Sequence, residues 1–266
     1  MLKKYPGALL RWDFLFISFI KDVGVFTDSK MKQENNEQQV KPAHIWIVIA
    51  AYNEEKKIRQ VILSLQENKY QNIVVVDDCS TDATAAVAEA AGAVVLRHII
   101  NRGQGAALKT GMEYALQNNA EIIVTFDADG QHHVEEIPRL TGPIEKMEVD
   151  ACLGSRFLDN NSTMSWHRKL MLKGGALIIW LFYGIKLTDS HNGFRALRRE
   201  AVQKLELKAD RMDHASEIVE QIAKQNIKFK EIPVTITYTD YSLQKGQHST
   251  AAFGILWNMI KNKVLR

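Results

Sequence analysis

The residues best suited to chemistry stand in the stretch 122–132, IIVTFDADGQH. One residue separates Asp127 from Asp129, Gln131 follows Gly130, and a β-branched apolar run leads straight into them. Two carboxylates this close repel unless something positive lies between them, and a hard divalent cation with oxygen ligands suits that position. Mg2+ or Mn2+ would keep coordination positions open for phosphate oxygens. Acidic triplets are common in turns. This one gains weight from its place after a buried strand, because open α/β sheets collect ligands at the carboxyl ends of their strands.

Two more strand ends point the same way. The first closes on Ala50-Ala51-Tyr52-Asn53-Glu54, where the Tyr52 ring could stack on a base and the Glu54 carboxylate could accept bonds from a base or ribose. The second closes on Asp77-Asp78-Cys79-Ser80-Thr81-Asp82, with acceptors suited to uracil or guanine N–H groups and ribose hydroxyls. Helix capping by Asn53, Ser80 or Asp82 would explain one polar residue per loop but not a cluster. Gly103-Gln104-Gly105 matches neither a phosphate loop nor a dinucleotide fingerprint; its glycines fit close approach at the start of the next helix.

The elements that must position these groups follow from hydrophobic period. Strands are predicted at 45–50, 73–76, 94–96 and 122–126. Between them run helices carrying Ile58, Val61, Ile62 and Leu65, then an Ala-rich segment ending at Gly92, then 106–118. Alternation of this kind implies right-handed βαβ units, hence an α/β fold with a mostly parallel sheet covered by helices on both faces. After Asp150 the rhythm loosens into a strand at 151–154, a polar loop, an apolar helix over about 165–183, a helix near Glu217 and a strand at 228–237. A final amphipathic helix places Phe253, Leu256, Trp257, Ile260 and Val264 on one face.

The 266 residues are 46% apolar and 24% charged, which excludes wholesale disorder. Lys plus Arg number 34 against 31 acids, a formal charge of +3, so no overall field announces nucleic acid as a partner. Cys79 and Cys152 form no CxxC pair, which excludes a disulfide framework or zinc ribbon and fits a reducing, cytosolic setting. The longest nearly apolar run, 174–184, is well short of the roughly 20 residues of a spanning helix. Organisation is expected as an N-terminal segment and polar linker (1–42), a catalytic domain (43–241) and a basic C-terminal helix (242–266). Residues 1–30 read either as an interfacial membrane anchor or as sequence upstream of a start at Met31. Beyond Asp240 every charge is basic (Lys245, Lys261, Lys263, Arg266), so the last helix either packs on the core with a solvated rim or lies on anionic lipid head groups.

The series AYNE, VVDDCSTD, NRGQGAAL, DADGQH, GSRF, DSHNGFR and EIP, in that order over roughly 45–240, resembles the family 2 glycosyltransferases of GT-A fold. Within them it is most similar to the dolichyl-phosphate mannose synthase-like branch, which transfers sugar from a nucleotide donor to a polyprenyl phosphate. The resemblance implies that Tyr52 and Glu54, with Asp77 or Asp78, hold the nucleoside. It implies that Asp127, Asp129 and Gln131 hold the metal, with Ala128 against the donor. Arg156 of GSRF would lie near the donor, Asp189 and Arg195 beside the acceptor, and Glu217 at the acidic position of the next helix. Lys245 falls where the branch has a residue that contacts donor phosphate. Ala50 replaces the usual proline, and Thr239 stands near where mannose synthases carry a phosphate-contacting arginine, which counts against GDP-mannose.

The expected function is therefore metal-dependent, inverting transfer from a UDP- or GDP-sugar to a polyprenyl phosphate, at the inner face of the cytoplasmic membrane. A lipid phosphate is anionic near neutral pH and needs no strong base. A glycan hydroxyl acceptor, as in surface polysaccharide assembly, would need one, with Asp189 or Glu217 as candidates. A non-catalytic nucleotide-sugar binding module is the third reading, and the intact acidic constellation argues against it.

Overall fold

The computed structural model of the chain describes residues 44–158, 174, 180–181, 184–189, 192–211 and 213–237. Contacts divide the chain into two units, Met1–Pro42 and Ala43–Arg266, and every described residue belongs to the second. The N-terminal segment, read as either an anchor or upstream sequence, the final basic helix with Lys245, and most of the apolar helix at 165–183 lie outside the described residues.

Among the described residues seven strands form one sheet: β1 Ile45–Ala51, β2 Ile73–Asp77, β3 Val94–Arg97, β4 Ile122–Asp127, β5 Ala151–Ser155, β6 Arg195–Arg198 and β7 Phe229–Pro233. Their spatial order is β3-β2-β1-β4-β6-β5-β7. β1 runs parallel to β2 and β4, β2 parallel to β3, and β5 parallel to β7. β6 is inserted antiparallel between β4 and β5. The mostly parallel α/β sheet is as the sequence predicts. The antiparallel strand is not: β6 begins at Arg195, inside a segment expected to be an acceptor loop.

Alternation along the strands builds two cores. Ile47, Ile49, Val75, Val124 and Phe126 face one side, where α1 (Ile58–Glu67), α2 (Thr84–Ala90) and α4 (Ile137–Glu145) cover them. Trp46, Val48, Val74, Val76 and Ile123 face the other, beneath α3 (Gln104–Gln117), α5 (Arg199–Lys204) and α6 (His214–Lys224). Each fully buried large aliphatic side chain contributes about 1.5–3 kcal/mol, so a strand of such residues holds its register firmly.

The start of α3 shows why the 103–105 segment is glycine-rich. A Cβ on Gly105 would stand 2.2 Å from the Ala209 carbonyl oxygen and 2.8 Å from His214 Cβ. The loop before α6 is thus pressed onto the first turn of α3, where Ala106 N–H donates to the Asp210 carbonyl at 3.0 Å. The expectation of close approach holds, and its partner is this loop.

Candidate active site

β4 carries the acidic pair to the carboxyl rim. Asp127 is its last residue, Asp129 lies in the turn beyond, and Asp129 Oδ1 accepts the Gln131 backbone N–H at 3.0 Å. Asp127 is hemmed in on several sides. His132 Nε2 lies 2.8 Å from its Oδ2, Gln104 Nε2 donates to its Oδ1 at 3.4 Å, and a Cβ on Gly193 would meet Oδ1 at 3.2 Å. Gly193 is itself anchored, since its carbonyl accepts the Thr125 hydroxyl at 2.6 Å. Ala128, between the two acids, packs its methyl group into the core and leaves only backbone to face the rim.

The two carboxylates differ electrically. Burial pushes Asp127 up, but His132, His214 and Arg156 outweigh it and hold the group below the ordinary aspartate range. Its side chain keeps 31% exposure, so the burial effect is partial. Burial pushes Asp129 up to about 6, and the neighbouring charges of Asp127 and Glu54 add to the rise. Asp129 thus ionises against two nearby negative charges, an environment that a cation would relieve.

At the rim of β1 and β2 the loops are interlocked. Asn53, in a left-handed conformation (φ 54°), accepts the Thr81 N–H through Oδ1 at 2.8 Å, and its own N–H donates to Ser80 Oγ at 2.9 Å. Glu54 donates its N–H to Thr84 Oγ1 at 2.7 Å and is buried, with its carboxylate near enough to act on Asp129. The Tyr52 ring is half exposed. Asp77 is buried and accepts the Ser80 N–H at 3.2 Å. Asp78 is different: Oδ1 meets His98 Nδ1 at 2.7 Å and the Arg102 N–H at 3.0 Å, while Oδ2 accepts the Gly103 N–H at 2.6 Å. Asp78 is spent on holding the 98–103 loop, which leaves Asp77 as the member of the pair suited to a nucleoside.

Three further predicted residues are engaged within the fold. Arg156 and Asp189 form a buried fork, Nε to Oδ2 at 2.6 Å and a terminal nitrogen to Oδ1 at 2.7 Å. Any proton acceptance by Asp189 would have to displace that guanidinium. Arg195 is buried and donates to the carbonyls of Asn192 (2.9 Å) and Ala215 (3.1 Å), so it braces β6 against α6 instead of standing in a loop. Burial lowers its pKa to about 10, with Asp189 and Asp127 pulling it back up, and it stays charged at neutral pH. Both Glu217 oxygens accept the Lys208 N–H at 3.0 Å, and one also accepts that of Ala209 at 2.9 Å. Its carboxylate organises the loop that presses on α3.

Sequence reasoning missed His132, Gln104, Gly193 and His214 as neighbours of Asp127. His132, Gln104 and Gly193 lie within motifs already singled out and His214 stands three residues before Glu217, but only the fold reveals the common target.

The donor set fits a divalent cation brought in with a diphosphate. Among the described residues no three His, Cys, Asp or Glu side chains converge as a ready metal cage. Mg2+ is commonly held by one or two carboxylates with phosphate and water oxygens completing the shell, which is what Asp127 and Asp129 provide.

The glycosyl transferase family 2 model matches residues 46–206, which spans β1 to α5 and includes both acids. The chain belongs to the family 2 glycosyltransferases. One relative, UDP-N-acetylglucosamine–dolichyl-phosphate N-acetylglucosaminyltransferase of Methanococcus voltae, is 32% identical over 241 residues, covering 83% of this chain and 96% of that protein. The polyprenol monophosphomannose synthase of Mycolicibacterium smegmatis is 30% identical, covering 74% and 78%. Among solved structures, glucosyl-3-phosphoglycerate synthase from Mycobacterium tuberculosis with Mn2+ and UDP-glucose superposes with TM-score 0.65 at 18% identity, covering 82% and 77%, which shows the GT-A fold. This glycosyltransferase therefore shares its family with enzymes named for polyprenyl-phosphate acceptors. Among its described residues no helix is long and apolar enough to cross a membrane.

Proposed function

We propose that the enzyme transfers a sugar from a UDP- or GDP-sugar to a polyprenyl phosphate, with inversion at the anomeric carbon. The observation that carries the choice of acceptor is the engagement of both candidate bases. Asp189 is clasped by Arg156, and Glu217 is occupied by the 208–209 backbone. An acceptor that arrives ionised needs neither of them; a glycan hydroxyl does. Relatives named for lipid phosphates support the same choice.

Asp127 and Asp129, with Gln131 beside them, would hold the cation. When bound, it would neutralise charge on the donor diphosphate as the leaving group departs. Tyr52, Glu54 and Asp77 would orient the nucleoside on the β1 and β2 rim. Attack by a phosphate oxygen on the face opposite the departing diphosphate forms the new bond to the anomeric carbon as the old one breaks, with no proton to remove. Lys245 would add positive charge at the diphosphate, and a basic C-terminal helix would rest peripherally on the cytoplasmic face of the membrane.

The test is product analysis with the full-length protein, UDP- and GDP-sugars, Mg2+ or Mn2+, and either undecaprenyl or dolichyl phosphate or a glycan acceptor. A sugar phosphodiester lipid is expected. Glycan extension without lipid product would overturn the proposal.

A further inference from the structure

His132 is a buried polar side chain in an aromatic slot. Its ring lies 4.7 Å from that of Phe194, tilted by 31°, and 5.3 Å from Phe126, near edge-on at 67°. The side chain is 2% exposed. Nε2 stands 2.8 Å from Asp127 Oδ2 but off the line of a hydrogen bond, and neither ring nitrogen has an aligned partner among the described residues. Burying an imidazole without satisfied nitrogens is costly, and a leucine of similar volume would fill a slot between two phenylalanines without that cost. Packing alone therefore does not account for a histidine here. What distinguishes it from an apolar residue is one nitrogen held against the Asp127 carboxylate.

We infer that His132 is a positioning residue for the proposed cation site, holding Asp127 Oδ2 so that the carboxylate presents one orientation to the metal. Gly193 and Gln104 limit the same carboxylate at Oδ1. His132 is the member of this cage that neither belongs to the backbone nor reaches the rim, so it acts through Asp127 and not on the substrate. The outer-shell partners of metal ligands commonly set affinity by about 10–100-fold. The inference rests on the proposed role of Asp127 as a cation ligand.

The experiment measures Mn2+ binding by electron paramagnetic resonance in the presence of UDP or GDP, together with the thermal midpoint in chelator. It compares the full-length protein with His132→Leu and His132→Gln. The leucine variant should keep its chelator midpoint within a few degrees and its metal-free nucleotide affinity, yet bind Mn2+ about 10-fold or more weakly. The glutamine variant, whose amide can reach the Nε2 position, should recover most of that affinity. Should the leucine variant fail to fold, His132→Asn, whose amide stops short of Asp127, carries the same expectation. Wild-type Mn2+ affinity in a folded leucine or asparagine variant overturns the inference. Failure of the unsubstituted protein to bind Mn2+ overturns instead the cation reading on which it rests.

Discussion

Two rims of one sheet carry aspartate pairs, and they are built to opposite ends. At the β2 rim the Asp78 carboxylate meets His98 and two backbone N–H groups, and its own carbonyl accepts the Asn101 amide at 3.1 Å. At the β4 rim Asp129 accepts one backbone N–H, and burial, with the nearby charges of Asp127 and Glu54 adding to it, pushes its pKa up to about 6. One pair includes an acid consumed by structure; the other contains an acid under repulsion. A carboxylate with its lone pairs filled from within has little left for a ligand. A repelled one keeps a place for a cation at some expense in stability.

The contrast breaks first at activity. Asp127→Ala or Asp129→Ala should lower sugar transfer by about 1000-fold or more while circular dichroism stays native, because the groups serve charge that develops in the reaction. Chelator should do the same to the unsubstituted protein and excess Mn2+ should reverse it. Activity within tenfold of wild type in either variant would remove the β4 pair from the chemistry.

Asp78→Ala should act on the fold instead. It leaves His98 Nδ1 and the N–H groups of Arg102 and Gly103 without their shared acceptor, and a loss of about 3 kcal/mol in urea unfolding is expected. A variant of unchanged stability that loses only nucleotide affinity would return Asp78 to the nucleoside.

Asp129→Asn should move stability the other way. The folded protein binds the Asp129 proton more tightly than the unfolded chain, since about 6 lies above the ordinary 3.8. Ionisation therefore erodes stability as pH rises from about 4 to about 6, and the full erosion persists above. In chelator the asparagine variant should gain on the order of 1–2 kcal/mol at pH 7.5, after allowance for solvent screening, and nothing near pH 4. A pH-independent difference would show that the repulsion is absent.

How much of this was legible in the sequence divides along the same sheet. The parallel half announces itself, because Ile47, Ile49, Val75 and Val124 alternate with Trp46, Val48, Val74 and Ile123 and so encode two buried faces. β6 does not, since RALR reads as surface; its Arg195 and Arg198 are accommodated by the carbonyls of Asn192, Ala215 and Ile144, which no local pattern foretells. α4 escaped notice because it carries a proline in its first turn and Pro143 within it. At the site, residue types singled out the acids as a group, but what each carboxylate touches depends on partners distant in the chain. Asp189 looks like a base until Arg156 is folded against it.

Glu217 gives the smallest expected effect and the finest discrimination. Glu217→Gln keeps an oxygen that can accept the Lys208 and Ala209 N–H groups, so the loop over Gly105 should stay in place with a stability change of about 1 kcal/mol or less. A general base replaced by an amide would cost about 100- to 10,000-fold in turnover. Transfer to polyprenyl phosphate is expected to stay within about threefold of wild type, since an acceptor that is already ionised calls on no base. A 100-fold fall in kcat with unchanged stability would mean that the Glu217 carboxylate leaves the 208–209 backbone during turnover. The acceptor would then have to be one that brings a proton to be removed.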